Sequence, residues 1–465
     1  MGNDKYKKKF QKYEKKYKVV KDLSKLIQSK YPRNKYFKAL IHKVDIPELY
    51  NNFVCKNNYN LTIIKFDDWN FKNERFMKIN KTNTTENRYH KLKSIYHKTE
   101  SEYIGNVALK EYCDVSFALK SVIEDYTRGI SRHMSSNGML DYNISNGFTK
   151  MYEILDTFKL IPKKDLSVFK SYHMAEAPGQ FILCTRRFID KRRNNMKHKW
   201  YANSLNPYND ENIERFGKGI FSDRYGLMKK DKDRWLFGED DTGDITKSVN
   251  VDHIKKEFVK NNFSPHLITG DAGLANTSDY ILLQKLDYAQ FANGIILSNL
   301  GGHLVIKTFT PFVYGVPESK DSIDFFVSLL FMVNLSFEKM FLFKPITSSS
   351  RSGEFYVICK NFTGAPSPII DFLKSRLDNF IVNVPLFLRN DIPDEFIIQI
   401  YEFVRKMSDT NTLALERENI IIQCSCADDK KINKILGCDK LLDPKYMEII
   451  KKKRFNDWIE MYKFK

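Results

Sequence analysis

The stretch Glu176-Ala177-Pro178-Gly179-Gln180-Phe181 follows a strand-like run, 171–175, and opens a helix-like segment. A strand that ends on a carboxylate, a tight Pro-Gly turn and a helix that begins at once are typical of nucleotide sites in α/β sheets. The first N–H groups of such a helix have no partners within the helix, so they can hold a ligand. The stretch therefore predicts an α/β protein with a nucleotide-type site at the end of its first strand.

Charged residues stand at or near the ends of three further strand-like segments, 266–271, 303–309 and 354–360. They are Asp271, Lys307 and Glu354, and Lys150 lies on the predicted helix before the first strand. Strand ends in an α/β sheet share one edge, so we expect these side chains to converge on a ligand held by the Pro-Gly turn. This convergence favours an enzyme.

The order of helices and strands indicates the fold class. They alternate from about residue 140 to residue 362, which predicts a mostly parallel sheet. The strands at 340–343 and 354–359 are joined by a loop too short for a helix, so they are expected to be antiparallel. The predicted class is α/β: a Rossmann-like, mostly parallel sheet with one antiparallel strand, flanked by helical N- and C-terminal extensions. No Gly-x-Gly-x-x-Gly follows the first strand, which argues against a nicotinamide-dependent oxidoreductase.

The chain is predicted to have three parts: a basic, mostly helical extension at 1–135, the sheet domain at 136–362 and a helical, basic extension at 363–465 that packs on it. Within the sheet domain we expect a strand at 200–205 and then a long polar insertion to about residue 262. The apolar run 325–337 is too short to span a bilayer and predicts a helix buried against the sheet.

The first 30 residues combine eleven lysines with an aromatic stripe at helical spacing, formed by Phe10, Tyr13 and Tyr17. Two interpretations are open: a solvated basic helix docked by this stripe, and an arm that contacts RNA. No apolar segment follows the lysine-rich start, so a secretory signal is not predicted.

The net charge of +19 favours a polyanionic partner such as RNA or DNA. The chain is also rich in Lys, Asn, Ile and Tyr, a bias that an AT-rich genome produces as well, so the charge is discounted accordingly.

The cysteines favour a reducing compartment, since the seven are odd in number and scattered along the chain. The expected location is the cytoplasm, or for a viral protein the host cytoplasm or the virion. Cys424 and Cys426, with Cys438, lack a standard zinc spacing and a nearby histidine. No metal site is therefore predicted.

Two lysines and two carboxylates around one pocket suit the removal of a proton from a weakly acidic hydroxyl. A lysine must be neutral to accept a proton, and its usual pKa of about 10.4 is too high. A second ammonium nearby lowers that pKa because like charges disfavour double protonation, while carboxylates orient the ammonium groups. Taken singly, Lys307 is also consistent with a solvated edge residue and Asp271 with a simple turn.

Six motifs, in order along the chain, carry a family resemblance. They are Glu-Ala-Pro-Gly-Gln-Phe (176–181), Gly-Asp-Ile-Thr (243–246), Gly-Asp-Ala-Gly (270–273), Gly-Gly-His-Leu-Val-Ile-Lys-Thr-Phe (301–309), Lys-Pro-Ile-Thr-Ser (344–348) and Ser-Gly-Glu-Phe-Tyr-Val-Ile-Cys-Lys (352–360). With these motifs, roughly residues 145–362 resemble the FtsJ-like RNA ribose 2′-O-methyltransferases. The similarity is greatest to the mRNA cap methyltransferases of eukaryotes and of large cytoplasmic DNA viruses.

The resemblance implies S-adenosylmethionine as the methyl donor and a catalytic Lys-Asp-Lys-Glu tetrad, which falls on Lys150, Asp271, Lys307 and Glu354. It implies that Lys307 accepts the proton of a ribose 2′-hydroxyl and that Lys150 tunes Lys307. Donor-binding positions fall on Glu176, Ala177, Pro178, Gly179, Gln180, Phe181, Asp244 and Asp271, with Asp244 near the adenine. The chain departs from the family at Gln180 and Ala272, where glycine is common, and Gln180 puts a side chain beside the donor pocket.

Basic residues after the Pro-Gly turn are candidates for holding RNA: Arg186, Arg187, Arg192, Arg193 and Lys197. Trp200 and Tyr201 follow them and could stack on bases, although the start of a core strand is the favoured interpretation of that pair. The basic cluster is equally consistent with the solvated face of a helix.

The resemblance implies RNA as substrate and partner, foremost capped mRNA methylated on its first transcribed nucleotide. Other capping or transcription proteins are further candidate partners, and no membrane association is expected. Two alternatives stay open: methylation of ribosomal or transfer RNA, and an inactive RNA-binding or virion scaffold protein with this fold.

Overall fold

The computed structural model describes residues 144–387, with gaps at 163–165, 194, 218–222, 274–279, 312–319 and 350–351, together with 444–464 and parts of 130–140 and 391–407. Nearly all of the predicted N-terminal extension, including its aromatic stripe, lies outside the described residues, as does the cysteine group at 424–438. The predicted division into three parts stays a prediction.

Six strands form one sheet in the order β2-β1-β3-β4-β6-β5. They are β1 (Val168–Met174), β2 (Lys197–Ala202), β3 (Leu267–Gly270), β4 (His303–Phe309), β5 (Phe337–Phe343) and β6 (Glu354–Phe362). Neighbours from β2 to β4 are parallel, while β6 is antiparallel to both β4 and β5. The predicted α/β class with one reversed strand is confirmed. Of these six strands it is the last along the chain, but it lies inside the sheet, between β4 and β5.

Helices cover both faces of the sheet. They are α1 (Asn146–Phe158), α2 (Gln180–Arg192), α3 (Asp210–Phe216), α4 (Leu227–Lys230), α5 (Ser248–Lys260), α6 (Tyr280–Leu297), α7 (Lys320–Ser336), α8 (Ser367–Asp378) and α9 (Pro444–Met461). On the first face, α1 and α2 pack on the sheet with Trp458 of α9. On the second face, buried residues of α5, α6, α7 and α8 form another apolar cluster.

Alternation along the strands sends successive side chains to opposite faces. In β1, Phe169 joins the cluster under α1, while Tyr172 and Met174 join the cluster under α6 and α7. A central strand covered on both faces buries nearly all its residues, and β1 accordingly reads as a continuous buried run after Lys170.

The structure corrects two predicted elements. Strand β2 begins at Lys197, three residues before the predicted start at Trp200. The insertion predicted to be polar contains α5, whose inner face is formed by Val251, Ile254 and Phe258. Those residues stand at i, i+3 and i+7, the spacing of an amphipathic helix, so a period count over this segment would have found it.

The apolar run predicted to be a buried helix is α7, and it packs into the cluster on the second face. Parts of the predicted C-terminal extension also belong to the cores, through Leu373 and Leu377 on one face and Trp458 on the other. Among the described helices, none is both long and apolar enough to cross a membrane.

Candidate active site

One edge of the sheet collects the predicted catalytic residues. Asp271 directly follows β3, and Lys307 lies near the end of β4. Glu354 begins the reversed strand and pairs with Phe309, the last residue of β4. Because β6 runs the other way, its first residue meets the last residues of the parallel strands. The structure thus brings three tetrad members to the carboxyl edge.

Strand alternation also points Lys307 and Glu354 to the same face. Lys307 pairs with Tyr356, two residues after Glu354, so the two side chains are diagonal neighbours on the sheet. Val305 and Tyr356, which share their face, pack in the cluster under α1. Helix α1 carries Lys150, and the fourth residue therefore comes from directly above the other three.

Two close ion pairs result. Lys150 Nζ lies 2.5 Å from Glu354 Oε1, and Lys307 Nζ lies 2.9 Å from Asp271 Oδ1. Lys307 also donates to the backbone oxygen of Asp271 at 2.9 Å, and Ser348 Oγ donates to Glu354 Oε1 at 2.9 Å. The Lys150, Lys307 and Glu354 side chains are each 13% exposed, so these charges are weakly screened but still reach solvent.

Glu354 is held ionised by the lysines around it. Burial alone would raise its pKa, but attraction to Lys150, Lys307 and Lys344 outweighs burial and lowers the pKa to about 2. The carboxylate is therefore a fixed negative charge at neutral pH.

Lys307 does not have the lowered pKa that the sequence analysis expected. Burial lowers its pKa, but the carboxylates of Asp271 and Glu354 outweigh burial and raise the pKa above its usual value. Lys150 was expected to lower the pKa of Lys307. It does not, because its positive charge is balanced by its own partner, Glu354, at 2.5 Å. At neutral pH Lys307 is therefore an ammonium group, and it contacts both Oδ1 and the backbone oxygen of Asp271.

The Glu176 side chain caps the N-terminus of α2. Its Oε1 accepts the N–H groups of Phe181 at 2.6 Å and Ile182 at 3.2 Å. The expectation that these amides are free for a ligand is therefore wrong, because the carboxylate at the end of β1 folds back on them. Burial, together with repulsion from Asp271, raises the pKa of Glu176 well above its usual range. The Phe181 ring is fully buried in the core, which leaves it no ligand-facing surface.

The turn between Glu176 and α2 requires glycine at position 179. Gly179 has φ +109°, and a Cβ there would lie 2.3 Å from Leu227 Cδ1. Ala177 and Pro178 precede it in the turn and are partly exposed. The absence of a side chain at position 179 lets Leu227 pack directly against the turn.

Gln180 links the turn to α1. Its Oε1 accepts the N–H of Ser145 at 2.6 Å, and its buried Nε2 has no protein partner. An unpaired buried donor costs free energy unless a ligand or water satisfies it. This donor fits the carboxylate end of a methionine-type ligand beside the turn, and the residue predicted to disturb the donor pocket supplies a group that such a ligand can use.

Asp244 lies beyond the carboxyl end of β2. Its Oδ1 accepts the N–H of Thr246 at 2.8 Å, which closes a turn, and the side chain is half-buried. The preceding Gly243 packs so tightly that a Cβ would lie 1.8 Å from the backbone oxygen of Ser204. Since β2 neighbours β1, Asp244 stands on the same edge of the sheet as Glu176.

The predicted RNA-binding cluster lies mostly at the other edge. Helix α2 begins with Gln180 at the edge of the sheet that holds the tetrad. It has 13 residues, so its last residue, Arg192, lies about 18 Å further along the helix axis. Lys197 is the first residue of β2, at the amino edge of the sheet. Arg192 and Arg193 therefore lie far from Lys307 and the other tetrad residues.

Contacts within the chain occupy several of these arginines. Arg192 Nη1 lies 3.3 Å from Asp156 Oδ1, and the buried Arg193 donates to the Ile161 backbone oxygen at 2.9 Å. The Arg187 guanidinium lies over the Phe464 ring, while Arg186 is partly exposed. Trp200 is buried, as the core-strand interpretation predicted. RNA contact by the five predicted residues, Arg186, Arg187, Arg192, Arg193 and Lys197, stays a prediction.

Two charged residues near the tetrad were missed at the sequence level. Lys344 follows β5 and donates to the backbone oxygens of Ser352 at 2.7 Å and Glu354 at 2.6 Å. Burial lowers the pKa of Lys344 to about 7. Glu153 is buried on α1, one turn after Lys150, and burial raises its pKa to about 7. A carboxylate among the apolar residues of α1 was the available signal for Glu153.

No group of three or more His, Cys, Asp or Glu side chains within the described ranges is arranged to hold a metal ion.

Comparison with known proteins identifies the domain. Residues 144–362 match the family model of the FtsJ-like methyltransferases, and this range spans β1 to β6 and all four tetrad positions. This part of the chain is an FtsJ-like methyltransferase domain.

Three relatives show how far the similarity extends. A cap-specific mRNA (nucleoside-2′-O-)-methyltransferase 2 of Mus musculus is 30% identical over 261 residues, 54% of this chain and 32% of that protein. A probable methyltransferase of African swine fever virus is 25% identical over 47% of this chain and 49% of its own length. An uncharacterized protein of Acanthamoeba polyphaga mimivirus is 28% identical over 83% of this chain and 51% of its own length. The chain thus spans one third to one half of these relatives, and the mimivirus similarity extends beyond the FtsJ-like domain.

Proposed function

We propose that the FtsJ-like domain transfers a methyl group from S-adenosylmethionine to a ribose 2′-hydroxyl of RNA, foremost the first transcribed nucleotide of capped mRNA. The observation that carries the proposal is the pair of lysines held against carboxylates at one sheet edge, Lys150 with Glu354 and Lys307 with Asp271. Relatives named as cap-specific mRNA methyltransferases support the choice of substrate.

The residues present fit the donor. The turn carries the partly exposed Ala177 and Pro178, and Gln180 offers an unpaired buried N–H. Asp244 and Asp271 stand further along the same edge, where carboxylates suit the hydroxyl and amino groups of a nucleoside. When bound, S-adenosylmethionine would supply a methyl carbon on a cationic sulfur, which the ribose oxygen would take as the carbon–sulfur bond breaks and its electrons stay on sulfur.

The chain's own residues handle the hydroxyl proton. Lys307 Nζ, 2.9 Å from Asp271 Oδ1, accepts that proton after releasing its own to solvent. Lys150, fixed by Glu354, donates a hydrogen bond to the ribose oxygen and holds it in line. Rate then comes chiefly from placing the reacting atoms, with proton transfer contributing about 10²–10⁴-fold.

The test is transfer of labelled methyl groups to short RNAs of one sequence, capped and uncapped, with nuclease mapping of the modified ribose. Label on the first transcribed nucleotide of the capped RNA alone is expected. Equal transfer to both RNAs would redirect the proposal to ribosomal or transfer RNA. If no donor binds at millimolar concentration, the chain is instead an RNA-binding scaffold with this fold. The cytoplasmic location and contacts with other capping proteins stay predictions.

A further inference from the structure

The Glu153 carboxylate is a junction between three parts of the chain. It is buried on α1, one turn beyond Lys150. Its Oε2 accepts the N–H of Ile346 at 2.7 Å, and its Oε1 accepts the N–H and the hydroxyl of Thr347 at 3.1 and 2.6 Å. Oε1 also accepts the indole N–H of Trp458 on α9 at 3.1 Å. Every one of these donors is a neutral group.

The loop that Glu153 holds, 344–349, is the loop that holds Glu354. Its first residue, Lys344, donates to the Glu354 backbone oxygen at 2.6 Å. Its fifth residue, Ser348, donates to Glu354 Oε1 at 2.9 Å, the same oxygen that pairs with Lys150. Glu153 binds Ile346 and Thr347, which lie between Lys344 and Ser348, so it fixes the loop from the side of α1 while the loop fixes Glu354.

The third part is the C-terminal helix. Trp458 is fully buried, and its ring lies 5.8 Å from that of Tyr152 on α1. Phe464 packs edge-on against Tyr152 at 4.8 Å between ring centroids. Arg192 of α2 donates to the Tyr462 backbone oxygen. Helix α9 and the residues after it therefore close over α1 and α2 on the face that carries Lys150.

Burying a carboxylate in an apolar core is energetically unfavourable. Burying it without a cation costs far more than filling the space with an aliphatic side chain, and four donors offset that cost only while all four stay in place. If the residue at position 153 only filled space in the core, leucine would do so equally well. What an aliphatic residue cannot do is tie the 344–349 loop and the indole of α9 to one point on α1.

We propose that Glu153 is a positioning residue through which the docked C-terminal helix sets the geometry of the Lys150–Glu354 pair. The inference rests on the proposed methyl transfer for its consequence, but the coupling itself is a property of this chain alone. It makes Trp458 of α9 a determinant of active-site geometry.

The test uses the full chain and two substitutions. Trp458→Phe keeps an aromatic ring and removes the indole N–H, and Glu153→Gln keeps the size and removes the charge. Tyr288→Phe is the matched control, because the Tyr288 hydroxyl is buried and donates to the Leu373 backbone oxygen at 3.0 Å on the second face. It removes one buried hydrogen bond without touching the 344–349 loop.

Amide hydrogen exchange and kinetics are measured together. In Trp458→Phe and Glu153→Gln, we expect faster exchange in the 345–349 peptide and a fall in kcat of about tenfold or more with KM for RNA changed less than about twofold. Tyr288→Phe should leave both unchanged. Exchange that is unaltered at 345–349, or a kcat loss equal to that of the control, would overturn the inference. If the wild-type chain transfers no methyl group, the proposed function fails, whereas the exchange result still decides the coupling.

Discussion

Lys150 and Glu354, separated by 204 residues in the chain, form an ion pair with 2.5 Å between Nζ and Oε1. The pair joins the first helix of the domain to the reversed strand, and both side chains are mostly buried. The ionisation of Glu354 therefore affects the stability of the fold as well as the chemistry of the site. The effect on stability can be measured as the change in unfolding free energy with pH.

Glu354 should make the protein less stable as the solution becomes acidic. Its folded pKa of about 2 lies below its unfolded value, so it contributes stability above about pH 4.5 that is lost as pH falls towards 2. Between about pH 5 and 3.5, wild type should lose about 1 kcal/mol more unfolding free energy than Glu354→Gln. Urea unfolding at both pH values gives the comparison, and equal losses would contradict the lowered pKa.

Lys307→Ala should reduce methyl transfer by about 100-fold or more while leaving donor affinity nearly unchanged. The substitution removes the only group placed to take the hydroxyl proton among the described residues at the end of β4. Transfer assays and calorimetry with S-adenosylmethionine measure the two quantities. Lys339→Ala is the control, since Lys339 is 44% exposed on β5 and pairs with Glu338 at 3.7 Å. Turnover close to wild type in Lys307→Ala would remove Lys307 as the base.

The transfer rate should rise with pH. Asp271 and Glu354 raise the pKa of Lys307, so at neutral pH almost all of it carries the proton that must leave first. The single-turnover rate is expected to increase about tenfold per pH unit from about pH 6 to 9, without a plateau. Donor and RNA are kept saturating at each pH so that binding does not contribute. A flat profile would mean that Lys307 only orients the ribose oxygen.

The sheet and the position of the tetrad could be predicted because both follow from local signals. A charged residue at a strand end and helices between strands are enough to place Asp271, Lys307 and Glu354 on one edge. The segment predicted for β4 agrees with the structure at both ends.

What could not be predicted depends on distances between parts of the chain. The predicted lowering of the Lys307 pKa was wrong because the carboxylates of Asp271 and Glu354 lie close enough to the ammonium group to raise that pKa. The amides at the start of α2 were expected to be free. In the structure the Glu176 side chain accepts from them, which depends on its rotamer and cannot be read from the sequence. Arg192 looks adjacent to the Pro-Gly turn in sequence, whereas a helix of 13 residues carries it to the opposite edge.

Gly179→Ala should destabilise the protein and weaken donor binding together. Alanine at φ +109° is strained by about 1–3 kcal/mol, and its Cβ would also collide with Leu227 Cδ1 at 2.3 Å. Gly301→Ala separates the two effects, because Gly301 has φ +76° but nothing within 4 Å of its Cβ position. We expect both variants to lose unfolding free energy, with the larger loss in Gly179→Ala, and only Gly179→Ala to lose donor affinity in calorimetry. Adding Leu227→Ala to Gly179→Ala removes the collision and leaves the backbone strain, so part of the stability should return. Unchanged donor affinity in Gly179→Ala would mean that this turn does not hold the donor.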